Sequence, residues 1–153
     1  MEGSYKEYYE NGQLKEAGNS KNGKRDGDAK MYFENGHLKA EAHYDDGILN
    51  GPYKEYYLNG NLMIEEVFVK NKLNGDFKTY FEDGKLHSQG THKNDKLLGN
   101  YKEYDENGNV VKEEYLKTRE SDTAKESTIK LDFSHNLDTM NLIAKNNNSF
   151  NPL

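Results

Sequence analysis

The chain has 153 residues, enough for one domain of ordinary size, with 27 acidic residues against 21 basic ones and no cysteine. The missing cysteines exclude disulfides and thiolate metal sites, the net charge of -6 removes the basic surface that a phosphate backbone demands, and no apolar run is long enough to span a bilayer. Only 33% of residues are hydrophobic, yet 12 tyrosines and six phenylalanines supply amphipathic rings, so a thin, wet sheet fits this composition better than a globule with a deep core.

From the N-terminus onward the chain is periodic. Gly3, Gly27, Gly51, Gly75 and Gly99 recur at a constant spacing of 24 residues, and Gly12, Gly36, Gly60, Gly84 and Gly108 keep the same step. Tyr8, Tyr32, Tyr56, Tyr80 and Tyr104 repeat in phase with them, as do Lys6, Lys30, Lys54, Lys78 and Lys102. Nothing breaks the register from Gly3 to about Leu116. A fixed period of this length marks an array whose units bury their apolar faces only by stacking on neighbours.

Each unit opens on a run of β-formers, such as Tyr5 to Tyr9 or Tyr53 to Tyr57, which leads into Asn11-Gly12, Asn35-Gly36, Asn59-Gly60, Asp83-Gly84 or Asn107-Gly108. Asn-Gly predicts a two-residue type I′ hairpin turn, because both residues accept positive φ. A second loop follows at Lys21-Asn22-Gly23-Lys24 and at Asp45-Asp46-Gly47-Ile48; units three and four carry Asn71 and Asp95 where that glycine would fall. The expected fold class is therefore all-β: an elongated, single-layer antiparallel meander of five 24-residue hairpin repeats. The repeats start at residues 3, 27, 51, 75 and 99 and fill residues 1–117. Such a ribbon would be about 45–50 Å long.

A two-residue turn sets the register, and the register sorts the faces. It places Tyr9 opposite Leu14, Phe33 opposite Leu38, Tyr57 opposite Leu62 and Phe81 opposite Leu86. Tyr5, Ala29, Tyr53 and Phe77 share that apolar face, with Tyr44, Phe68 and Leu116 from the returning strands. The other face pairs Lys30 with Glu41, Lys54 with Glu65 and Lys102 with Glu113, flanked by the tyrosine column; each pair contributes about 0.2–1 kcal/mol. Asp105 and Val110 replace an aromatic and a leucine in the last unit, as terminal caps do.

Periodicity stops at Thr118 to Asp122. Residues 118–153 read as a short strand and helix cap, or as a flexible tail docking on a partner. Thr128 to Phe133 alternates as a strand would, and Leu137, Met140, Ile143 and Ala144 fall near helical spacing behind Ser134 or Asn136 as a helix cap.

Catalytic signals are absent. His37, His43, His87, His92 and His135 are out of phase and form no ligand-spaced cluster, which makes them incidental surface groups and predicts no metal. Carboxylates sit in columns opposite lysines, and neither a nucleophile elbow nor a phosphate loop occurs, so the expectation is a non-enzyme without cofactors. Nucleic-acid and membrane partners are not expected, and self-association through strand edges is open. Met1-Glu2 leads straight into the first repeat without a signal-peptide pattern, which predicts either a cytoplasmic chain or the removal of an upstream segment. Stacked tyrosines on a repeat sheet are first of all structural, yet tyrosine also offers large contact area at small entropic cost. The candidates for protein binding are the central apolar-face rings Phe33, Tyr53, Tyr57, Phe77 and Phe81.

Units such as Tyr5-Lys6-Glu7-Tyr8-Tyr9-Glu10-Asn11-Gly12-Gln13-Leu14-Lys15 and Tyr53-Lys54-Glu55-Tyr56-Tyr57-Leu58-Asn59-Gly60-Asn61-Leu62 resemble the bacterial variant of the MORN repeat (membrane occupation and recognition nexus). The resemblance covers residues 3 to about 117. The chain departs from the commoner pattern, which is richer in glycine and reads Tyr-x-Gly early in the unit, and this argues against lipid binding. Bacterial members of this variant group are often described as antitoxin or immunity components of toxin–antitoxin modules, others as uncharacterised surface or exported proteins. The resemblance therefore implies a protein partner, a basic toxin by charge complementarity.

Overall fold

A computed structural model describes residues 2–118 and 128–129. Strand β1 (Glu2–Tyr8) and β2 (Leu14–Lys21) form the first hairpin, β3 (Lys24–Tyr32) and β4 (Leu38–Asp45) the second, and β5 (Ile48–Tyr56) and β6 (Leu62–Val69) the third. The fourth joins β7 (Lys72–Leu73) and β8 (Gly75–Tyr80) to β9 (Leu86–Lys93), and the fifth joins β10 (Lys96–Tyr104) to β11 (Val110–Thr118). Sheet order follows chain order, with β7 and β8 both against β6, so the architecture is one open antiparallel meander. A short β12 (Thr128–Ile129) pairs antiparallel with the end of β11, Ile129 standing opposite Lys117. The helix expected over Leu137 to Ala144 lies outside the described residues.

The hairpin turns differ from the sequence expectation. At Asn11-Gly12 only the glycine has positive φ, at 82°. The Gly12 N–H donates to the Tyr9 carbonyl at 2.9 Å and the Tyr9 N–H to the Gln13 carbonyl at 2.8 Å, which makes a three-residue loop closed by a left-handed glycine. The side chain of Asn11 accepts the Gln13 N–H at 2.9 Å, so asparagine serves here as an acceptor and not as a second positive-φ residue. Two-residue loops with positive φ at both positions occur instead at the second turns, at Asn22-Gly23, Asp46-Gly47, Lys70-Asn71 and Asn94-Asp95. The longer turn puts Leu14 opposite Tyr8 rather than Tyr9, and a bulge one residue further on restores the expected pairing. Lys30 thus still faces Glu41, and Lys102 still faces Glu113.

The 24-residue glycine ladder marks a second irregularity, at the junction between repeats. Between β4 and β5, Ala42 pairs with Tyr53 and Tyr44 with Leu49, so three residues of β5 oppose the single His43. Gly51 sits in that bulge with φ at 139°. Gly75 repeats the conformation, also at 139°, and a Cβ there would lie 3.1 Å from the Cβ of Val67. A backbone this far into positive φ is open to glycine and strained for other residues.

The two margins of the sheet are laced from one repeat to the next. The Tyr9 hydroxyl donates to the Tyr32 carbonyl at 2.7 Å and the Tyr57 hydroxyl to the Tyr80 carbonyl at 2.8 Å. On the opposite margin the Leu49 N–H donates to Asn71 Oδ1 and the Leu73 N–H to Asp95 Oδ1, both at 2.8 Å. Each repeat is thus held by its immediate neighbours, the nearest-neighbour coupling expected of a solenoid-like array.

The charged face repeats a single device. The Tyr56 hydroxyl donates to Glu41 at 2.7 Å and the Tyr80 hydroxyl to Glu65 at 2.6 Å, beside the cross-strand lysines; Lys30 lies 3.3 Å from Glu41. Burial and the carboxylate that accepts the hydroxyl proton push both phenols up to about 12. Because the folded state holds these protons more tightly than the unfolded chain, the stability they contribute is complete below pH 10 and is lost as pH rises toward 12. Burial raises Tyr5, Tyr53 and Tyr101 as well, aided by the neighbouring carboxylates of Glu16, Glu55 and Glu103. A phenolate absorbance titration is accordingly expected to show late-ionising tyrosines whose titration accompanies loss of the sheet. Absence of any late-ionising tyrosine would contradict these bonds.

Candidate protein-binding face

Two rows of side chains cross the sheet on the face opposite the Lys–Glu pairs. The first contains the cross-strand pairs Tyr5–Gly18, Ala29–Ala42, Tyr53–Glu66, Phe77–Gly90 and Tyr101–Glu114. The second runs Glu7–Glu16, Met31–Ala40, Glu55–Ile64, Thr79–Ser88 and Glu103–Lys112. Large rings lie over small partners. A Cβ on Gly18 would come 3.1 Å from the Tyr5 ring, and one on Gly90 would come 2.9 Å from the Phe77 ring. This covering leaves Ala29 and Ala40 only 2% exposed and Phe77 8% exposed, although no second layer overlies the sheet among the described residues.

The five units use these positions differently. In the first, Arg25 donates to Glu16 at 2.7 Å and to the Tyr5 hydroxyl at 3.1 Å, and its guanidinium lies 5.4 Å from the centre of the Tyr44 ring. In the fifth, Lys112 Nζ is 2.9 Å from Glu114 Oε1 and 5.7 Å from the centre of the Tyr101 ring. The third has no such cation among the described residues. There Tyr53 meets Phe68 edge-on, with ring centres 5.6 Å apart, and its hydroxyl donates to Glu55. Burial, aided by the charge of Glu55, raises the Glu66 carboxyl above the usual range.

A carboxyl whose folded pKa is raised destabilises the fold when it is ionised. Stability is therefore gained as pH falls through the folded pKa, and at neutral pH the charge is a net cost. Glu66→Gln is expected to increase stability at pH 7 by about 0.5 kcal/mol, the scale of a partly solvated charge interaction, and to leave it unchanged in acid. Urea unfolding at the two pH values checks this; a loss of stability at pH 7 would mean that the charge has a partner.

From Ile64 and Glu66 a groove of about 730 Å³ runs past Phe77 and His92 to Leu97, Tyr101 and Leu116, with Lys96 and Lys112 also on its wall. His92 lies tilted against Phe77 with ring centres 4.5 Å apart, and its Nδ1 is buried without a hydrogen-bond partner among the described residues. Burial lowers its pKa and favours the neutral imidazole. His87 is likewise half-buried, 4.5 Å from the Phe81 ring. Both are expected from sequence to be incidental surface groups; strand alternation instead puts His92 on the face of Phe77, and His87 falls in the bulge opposite Thr79 and Tyr80, beside Phe81. Among the described residues no group of His, Asp or Glu is arranged to hold a metal ion, and no helix is long and apolar enough to cross a membrane.

The five rings proposed from sequence fall into two sets. Tyr53 and Phe77 lie mid-strand in the first row. Phe33, Tyr57 and Phe81 stand at the sheet margin beside the three-residue turns, where Tyr57 laces two repeats and Phe33 lies under the Lys39 ammonium at 5.8 Å. Sequence reasoning left out Glu66 and Tyr101. Reading the column Gly18, Ala42, Glu66, Gly90 and Glu114 in phase exposes the first, since a carboxylate there breaks a run of small residues. Tyr101 is the in-phase partner of Tyr5 and Tyr53 and needed only the same step.

A search of curated proteins finds no match to this chain. The MORN repeat variant family, by contrast, matches five times, over residues 1–22, 25–46, 49–71, 73–94 and 97–117. Those units begin about two residues before the glycine ladder and divide the chain at the second turns, so each match coincides with one hairpin. The matches cover well over half of the sequence, in the order and number of the hairpins of the sheet: the chain belongs to the MORN repeat variant family.

Proposed function

We propose that the protein is a non-enzymatic binding module that neutralises a basic protein toxin by covering its working surface. The observation that carries this reading is the face opposite the Lys–Glu pairs. It presents aromatic rings, a groove of about 730 Å³ and the carboxylates Glu55 and Glu66, which have no matching cation among the described residues. Aromatic rings with partly desolvated acids favour a cationic protein surface, and complementary charge speeds encounter. The test is capture from a lysate of the source organism, followed by expression of the captured protein alone and together with this one. Growth arrest by the partner alone, relieved on co-expression, is the expected result. A harmless partner would reject the antitoxin reading.

A second reading, a self-assembling scaffold, draws on β1, whose outer backbone edge pairs with no other strand among the described residues and six of whose seven residues are exposed. It predicts a mass in solution that rises with concentration, and more so after deletion of residues 118–153. Lipid binding is a third reading. The acidic excess opposes it, since anionic bilayers attract basic segments.

A further inference from the structure

The third and fifth repeats carry the same three side chains at equivalent positions: Tyr53, Glu55 and Glu66 in one, Tyr101, Glu103 and Glu114 in the other. Their pairing is also the same. Tyr53 faces Glu66 as Tyr101 faces Glu114, and Glu55 faces Ile64 as Glu103 faces Lys112. The two sets differ in the residue at this last position. In the fifth repeat the Lys112 ammonium ion bridges to Glu114 and overlies Tyr101; in the third, Ile64 holds that place, and no cation pairs with Glu55 or Glu66 among the described residues. The first repeat solves the same problem with Arg25, which binds Glu16 and Tyr5 and overlies Tyr44. Twice, then, this face shows what a Tyr–Glu set accepts: a cation lying on a ring and bonded to a carboxylate.

We propose that Tyr53, Glu55, Glu66 and Phe68 form a socket for an arginine or lysine side chain of a protein partner, its charged group lying over Tyr53 as Lys112 lies over Tyr101. This specifies the contact chemistry of the protein-binding reading above and rests on it. Two neighbouring, partly buried carboxylates suit the planar fork of arginine, and the negative face of a tyrosine ring adds attraction. Ile64 and Phe68 offer apolar surface to the aliphatic stem of the incoming side chain. The groove that continues past Phe77 to Tyr101 and Leu116 leaves room for apolar residues flanking it in the partner.

The decisive variant is Ile64→Lys, which gives the third repeat the cation of the fifth and should fill the socket from within. The probe is a short peptide alternating arginine and leucine, with citrulline in place of arginine as control, read by amide NMR. Saturable shifts at Tyr53, Glu55, Ile64, Glu66 and Phe68 are expected. Affinity should fall about tenfold or more for the citrulline peptide, for Ile64→Lys and for Glu66→Gln. The glutamine variant keeps shape without charge and carries the test should the lysine variant fail to fold. Undiminished binding by a folded variant, or the absence of saturable shifts at these residues, overturns the socket. Failure of co-expression to relieve toxicity, with the peptide result intact, would reject the toxin reading and leave the socket standing.

Discussion

Gly75→Ala is expected to destabilise the fold by about 2–3 kcal/mol, whereas Gly3→Ala, at the same position of the repeat, should change stability by less than about 0.5 kcal/mol. The sequence treats the two glycines alike; the structure does not. Gly75 sits in an inter-repeat bulge at φ 139°, with Val67 3.1 Å from where a Cβ would stand. Alanine there meets both backbone strain and a crowded neighbour on a paired strand, and neither can relax without opening the junction between the third and fourth repeats. Gly3 lies on β1, which has no preceding strand among the described residues, and nothing lies within 4 Å of its Cβ position. Urea unfolding of both variants checks the contrast. Equal losses would mean that the ladder serves something other than the bulge.

The second large effect is expected at Phe77. Its ring covers Gly90, lies tilted against His92 and stacks at 6.4 Å with the ring of Tyr101, and it is the only large aromatic counted as buried among the described residues. Phe77→Ala is expected to cost about 3–4 kcal/mol, through lost burial and the gap left between β8 and β10. In an array whose repeats are held mainly by their neighbours, this loss should uncouple the ends. The variant is therefore expected to unfold in two phases, with the fourth and fifth repeats melting before the first three. Hydrogen exchange resolved by strand reads this directly. A single cooperative transition with a loss under about 1 kcal/mol would show that the ring is not central to the face.

The architecture was legible because it depends on period and parity. A 24-residue step and alternation within each strand were enough to set Lys30 against Glu41 and to put Tyr53 and Phe77 on the opposite face. Turn chemistry was less legible. Asn11-Gly12 reads as a two-residue turn, but its asparagine accepts a hydrogen bond from Gln13 and leaves positive φ to the glycine alone. The residue gained in the loop is returned by a bulge, so two local errors cancel and the strand register survives. The bulges at Gly51 and Gly75 carried a clear sequence mark, the ladder itself, with nothing to say that it lay between repeats. The proposed binding face was harder still. Its character depends on which positions break the pattern, Glu66 among small residues and Ile64 where the fifth repeat has Lys112, and such exceptions are hidden when a repeat is read for its consensus.

The central claim is that the face bearing Tyr53, Phe68, Phe77 and Tyr101, and not the Lys–Glu face, meets the partner. Hydroxyl-radical footprinting of side chains, with and without the captured partner, tests it most directly, because it reports the two faces of one strand separately. Protection is predicted at Tyr53, Phe68 and Tyr101, with Tyr32, Tyr56, Tyr80 and Tyr104 unchanged. Protection of that second tyrosine column with the first three rings still reactive would contradict the account.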